Sequence, residues 1–166
     1  MTSNCEKTVH IHGQEFQIVH ESGNWQEIPE ELIPVTPGMK WTCLRCGKCC
    51  TRDWQIELSW KEFHRLKEHL PLDSVIFDEH TAEYYPFFDV NGKCPRYDEM
   101  ESSCNIYSDR CFVCRSYPFY LHPPGKLLIS TLCDGIGHGP TVDTGGKCRE
   151  LLALRTTAGM DVSHYD

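Results

Sequence analysis

The chain has 166 residues, enough for one ordinary domain that buries its own core without staples. Apolar residues make up 40% and charged residues 24%, a composition that excludes an intrinsically disordered chain. The formal charge of −8 argues against nucleic-acid phosphates and anionic lipid as partners, and no run of Lys and Arg announces a local exception.

Residues 1–7 lack the charged-then-apolar layout of a secretory signal, and no apolar stretch approaches the roughly 18 residues of a membrane span. The expectation is a cytoplasmic protein with neither membrane nor nucleic acid among its partners. Residues 7–20 alternate apolar and polar side chains about Gly13 (Val9 and Ile11, then Phe16 and Ile18), which predicts a β-hairpin. Pro29, Pro34 and Pro37 punctuate the next stretch, read as a short helical turn over residues 30–33 and then an extended approach to the first cysteines. Residues 54–58 alternate like a strand. Ser59 and Glu62 form a capping-box pattern that opens a helix running to about His69, burying Phe63 and Leu66 and stopping before Pro71.

Residues 74–78 and 83–90 are β-like, with Asn91-Gly92 as a turn, and residues 126–131 read as a further strand. Gly145 and Gly146 precede a last helix, expected over residues 147–156, that packs Leu151, Leu152 and Leu154. Strands and helices mix without β-α-β alternation. The predicted class is therefore α+β, a small single domain with an N-terminal β-hairpin and long irregular loops organised by metal. Within it, residues 1–40 are the hairpin and its lead-in, and residues 41–166 form the cysteine-bearing part of one compact unit.

The chain carries 11 cysteines. Disulfides are rare in a reducing compartment, and an odd number of thiols cannot all pair within one chain. Metal ligation is the leading reason for so many. Cys43, Cys46, Cys49 and Cys50 fall within one short loop, where successive C-x-x-C spacings turn thiolates inward and Gly47 permits a positive φ. Such soft ligands select zinc, copper(I) or iron–sulfur species over magnesium or calcium. Cys94-Pro95, Cys104, Cys111, Cys114 and Cys133 follow. A cysteine-rich loop with a later Cys-Pro resembles the bacterial ferredoxin run in chemistry, although the spacings differ.

The segments 43–50, 56–62 and Gly92-Lys93-Cys94-Pro95 occur with Cys104-Asn105-Ile106-Tyr107, Arg110 and residues 114–119 (Cys114-Arg115-Ser116-Tyr117-Pro118-Phe119). Together they resemble the YkgJ-type cysteine-cluster family of zinc- or iron-chelating domain proteins, over about residues 41–140. The resemblance implies metal ligands at Cys43, Cys46, Cys49, Cys50, Cys94, Cys104 and Cys114, with Cys133 as an eighth. One position departs from the family: proline usually follows the arginine at Arg110, and here Cys111 does. Cys111 is then an extra ligand or a bystander thiol, and it is grouped with Cys5 and Cys148 as free thiols.

The crowding of the first cluster and the Cys-Pro favour iron–sulfur, 4Fe-4S first, over zinc. The expected role is non-catalytic, in electron transfer or redox sensing with an unidentified protein redox partner. A zinc-stabilised interaction module is the alternative. A third is a cluster-dependent protein-modifying enzyme, by distant resemblance to the flagellin lysine methylases. Gly135, Gly137 and Gly139 follow a strand but open no helix, so the dinucleotide-binding context is missing and these glycines are read as admitting backbone amides towards metal-bound sulfur. Arg110 and Arg115 are read either as offsetting thiolate charge or as capping loops and pairing with surface carboxylates. His138, in the glycine loop beside Cys133, is the histidine with the best case for hydrogen-bonding the centre or moving protons.

Overall fold

The computed structural model describes residues 8–11, 13–17, 32–52, 54–69, 75–77, 86–90 and 93–165. In chain order come β1 (Thr8–Ile11), β2 (Gln14–Gln17), β3 (Leu32–Pro34), β4 (Lys40–Trp41), β5 (Trp54–Glu57) and α1 (Trp60–Leu66). Then follow β6 (Val75–Phe77), β7 (Pro86–Val90), β8 (Tyr97–Asp98), β9 (Ser103–Cys104) and α2 (Phe112–Ser116). The last elements are β10 (Phe119–His122), β11 (Lys126–Ser130), β12 (Ile136–Thr141) and α3 (Thr144–Thr157). Single 3-10 turns cover Lys48–Cys50, Tyr107–Asp109 and Ser163–Tyr165. The fold is α+β, and the strand pairs among the described residues are antiparallel. Two compact units divide it: one from residues 1–44, 117–148 and 165, the other from residues 45–116, 149–164 and 166.

The first unit holds the N-terminal hairpin β1-β2 and the sheet β10-β11-β3. In β11, Lys126 is exposed and Leu127, Leu128, Ile129 and Ser130 are all buried. A strand with neighbours on both edges and cover on both faces loses the polar alternation of a half-exposed strand. Ile129 pairs with Ile33 in register, and both are fully buried. That pairing corrects the helical turn expected over residues 30–33: Leu32 and Ile33 lie in β3. The long-range partner strand decides the matter, where the proline spacing had pointed to a local turn. The turn expected at Asn91-Gly92 and the helix stop expected before Pro71 lie outside the described residues.

β4 pairs with β12 through Ile136 opposite Trp41 and Thr141 opposite Lys40, with a register shift between them. The close approach comes at Gly135, where any Cβ would overlap the Thr42 carbonyl oxygen. The glycine therefore serves the approach of two strands. α3 begins at Thr144 and takes Gly145 and Gly146 into its first turn, earlier than expected. Asp143 accounts for the early start: its carboxylate accepts from Gly146 N at 3.0 Å and its carbonyl from Lys147 N at 2.8 Å.

The second unit contains β5-β7-β6, β8-β9, α1 and α2. Ser59 caps α1 as its sequence pattern predicts, accepting from Glu62 N at 3.1 Å, and its hydroxyl also donates to Ala158 O. The helix ends at Leu66, with His69 N closing a turn onto Leu66 O at 2.8 Å. Leu66 is buried and Phe63 is half-buried. The core is Ile56, Leu58, Leu66 and Cys111, with Cys94, Ile106, Val113 and Cys114 packed against it. Sulfur thus makes up a good part of this core.

Candidate metal centre

The loop at residues 43–50 turns on Gly47, which takes φ 73° and starts the 3-10 turn Lys48–Cys50. Cys50 N closes that turn onto Gly47 O at 2.9 Å. A side chain at position 47 would also overlap the Tyr97 ring. The turn places Cys49 and Cys50 inward and half-buried, while Cys43 and Cys46 stay exposed.

Backbone bonds then bring the later cysteines to this turn. Cys94 N donates to Cys50 O at 2.6 Å, and Tyr97 N donates back to Cys94 O at 3.0 Å. The β8-β9 ribbon sets Cys104 opposite Tyr97. Arg65 holds the next stretch, donating to Asp109 O at 2.8 Å and to Arg110 O at 3.2 Å. Cys111 immediately precedes α2 and Cys114 lies within it, and Arg115 N closes this turn onto Cys111 O at 3.0 Å.

The sulfurs interact directly. Cys50 shares its S–H between Cys49 and Cys104, and accepting from it lowers Cys49 to about 7 and Cys104 to about 6. Burial opposes both shifts, and the Arg110 guanidinium assists both. Cys50 itself is pushed far up because its proton is held by two acceptors. Cys114 donates to Cys111, which together with burial pushes its thiol well up. Burial raises Cys94, opposed by Arg96 N, which donates to its sulfur at 3.4 Å.

Arg110 has a defined seat. Its Nε donates to Tyr107 O at 2.8 Å and its Nη1 to Cys114 O at 3.3 Å. Its guanidinium lies 3.6 Å from the centre of the Tyr107 ring, and that of Arg45 lies 4.0 Å from the same ring. Arg115 instead reaches Ser108 O. Of the two arginines picked out from the sequence, Arg110 is the one whose charge lowers thiols.

Glu62 is the buried acid of this unit, only 4% exposed. Its Oε1 accepts from Phe112 N at 2.5 Å, tying α1 to the first residue of α2. Among the described residues its Oε2 has no hydrogen-bond partner. Burial raises its carboxyl, against the opposing pull of the Phe112 and Ser59 amides. The capping-box pattern located Glu62, but nothing local in the sequence pointed to its partner on α2.

Of the eight cysteines expected as ligands, Cys49, Cys50, Cys94, Cys104 and Cys114 come together in the second unit, with Cys111 among them. Cys46 belongs to the same unit on the exposed side of its loop. Cys43 and Cys133 belong to the first unit, where Trp41 Nε1 donates to Cys133 Sγ at 3.4 Å. Cys148 donates to Gly125 O at 3.8 Å, His138 is exposed on β12, and Cys5 lies outside the described residues. Among the described residues, no three Cys, His, Asp or Glu side chains are grouped so that they could hold a metal ion. The donor chemistry fits zinc or iron: soft sulfurs, apolar packing, and an N–H donor on sulfur. Metal binding requires thiolates and would replace the hydrogen bonds between these sulfurs.

Among the described residues no helix is long and apolar enough to cross a membrane. No curated protein and no solved structure matches the chain. Residues 42–135, more than half of the chain, match the family described as "CxxCxxCC: Putative zinc- or iron-chelating domain". The matched span begins just before Cys43 and closes just after Cys133, so it takes in the thiol cluster of the second unit whole. The chain belongs to this family of cysteine-cluster proteins, whose domain chelates zinc or iron.

Proposed function

We propose that the thiols of the second unit hold an iron–sulfur cluster, 4Fe-4S in the first instance, and that the chain acts in electron transfer or redox sensing with a protein partner. The observation that carries this reading is the number of thiols in one place. Cys49, Cys50, Cys94, Cys104 and Cys114 lie near one another, Cys94 and Cys114 against an apolar core, and this crowding together with Cys94-Pro95 resembles ferredoxin ligation more than a zinc knuckle. These residues would hold the group, and when bound it supplies one-electron chemistry.

The chain's own groups set the conditions. Arg96 N donates to Cys94 sulfur, and Ile106 N donates to Cys104 sulfur. Such N–H···S bonds and the nearby Arg110 charge stabilise negative sulfur and favour the reduced state. Ile56, Leu58 and Leu66 keep water from this side of the sulfurs.

A zinc-stabilised module is the second reading. It is favoured by two pairs with zinc-knuckle spacing, Cys46 with Cys49 and Cys111 with Cys114. The visible absorption spectrum of protein purified without oxygen, with iron, sulfide and zinc analysis, separates the two. Brown protein with matched iron and acid-labile sulfide is expected. Colourless protein with stoichiometric zinc would transfer the site to the second reading.

A further inference from the structure

We propose that Cys111 is a metal ligand of this chain, acting with Cys114 as a two-thiol knuckle at the start of α2. The family places proline at this position, so the assignment adds a thiolate that the family pattern lacks. It rests on the reading that the second unit binds metal, and it holds for zinc as for iron.

Three observations separate Cys111 from a bystander. A bystander buried thiol behaves as a small apolar side chain with no polar partner. Cys111 is 5% exposed, yet its sulfur lies within interaction distance of the Cys114 thiol. It also lines, with Cys104, Cys114 and Arg110, a partly open cavity of about 40 Å³ whose other walls are Ile56, Leu58, Leu66 and Ile106. Three sulfurs thus line one small cavity whose remaining walls are mostly aliphatic. Finally, the backbone is set for the spacing: Arg115 N on Cys111 O and Glu62 on Phe112 N hold both ends of the turn between the two sulfurs. Cys94 is close enough to both for the charges to interact.

The full chain, stripped and reloaded with cobalt(II), tests this through its sulfur-to-cobalt charge-transfer bands. In Cys111→Val, which keeps an apolar group in the core, these bands should weaken and cobalt affinity should fall about 10–100-fold or more. Cys148→Ser should leave both unchanged. Wild-type protein loaded with cadmium-113 gives a readout that needs no variant: proton–cadmium correlation should connect the Cys111 β-protons to the metal. Unchanged bands and affinity in Cys111→Val, or cadmium couplings to other cysteines without Cys111, would overturn the assignment. Colourless wild-type protein with zinc would overturn the cluster reading alone, since Cys111 is read out by cobalt and cadmium in either case. Wild-type protein that takes up none of these metals would overturn both.

Discussion

The two units of this protein solve the problem of a small core in different ways. In the first, β11 runs between β10 and β3 with Leu127, Leu128, Ile129 and Ser130 buried, and Ile33 and Phe119 seal the same region. Apolar area removed from water is the stabilising quantity there. In the second, among the described residues, the cluster Ile56, Leu58 and Leu66 is completed by Cys111, with Cys94 and Cys114 packed against it. Sulfur packs well enough, but its protons and lone pairs compete for partners, as the shared Cys50 proton shows. The contrast teaches that aliphatic contacts make up the first core, whereas thiols of a zinc- or iron-chelating family take part in the second.

Removing the metal should have the largest effect, and a lopsided one. Thiolate metal sites contribute on the order of 10–16 kcal/mol, comparable to the stability of a whole domain. With a chelator present, amides of Cys50, Cys94, Asn105 and Arg115 should lose hydrogen-exchange protection, while those of β10 and β11 keep it. Equal loss in both units would break the comparison.

Next is Ile129→Ala, which opens a cavity in the sheet core and should cost about 2–5 kcal/mol. Because Ile129 packs in the sheet β10-β11-β3 rather than among the clustered thiols, denaturant unfolding should shift while metal content stays at the wild-type value. A fall in metal content would show that the sulfur site depends on this sheet.

Ser59→Ala removes the cap of α1 and the bond to Ala158 O, at a cost of about 1 kcal/mol. Its effect should be larger in apo protein, where α1 has no metal site to lean on. Comparing thermal melts of the two forms checks this, and an identical shift in both would remove the link.

Glu62→Gln is the smallest and is read through pH. Burial raises the Glu62 carboxyl in the folded state above its unfolded value. Its contribution is therefore complete at low pH, below the unfolded pKa, and is lost as pH rises through the folded one. Glutamine keeps an oxygen for Phe112 N and has no charge to bury, so apo Glu62→Gln should lose less stability than wild type between acid and neutral pH. Parallel curves across that range would mean the carboxyl is ionised at little cost.

Much of the second unit was legible in the sequence because its signals are short-range. The strand at β5, the Ser59 cap and the following helix depend on a few neighbouring residues. So does the turn at Gly47, where a positive φ is needed between closely spaced cysteines. β3 and α3 were less legible. Leu32 and Ile33 are strand because β11, far along the chain, pairs with them, and α3 starts early because Asp143 caps it through two glycines. Cys111 shows the same limit in the site: its spacing to Cys114 was visible, but its burial beside Cys104 was not.

The sequence by itself determined that this is a thiol-rich metal protein. Ligand type and spacing are covalent properties, and they narrow the metal to zinc, copper(I) or iron–sulfur species before any folding is considered. Only the tertiary structure decided which sulfurs meet. The Cys94 loop is joined to Cys50 by a backbone bond, the β8-β9 ribbon carries Cys104 to its place, and Arg65 fastens the approach to α2. These are contacts between residues distant in sequence, made where an apolar core excludes water, and no local pattern encodes them.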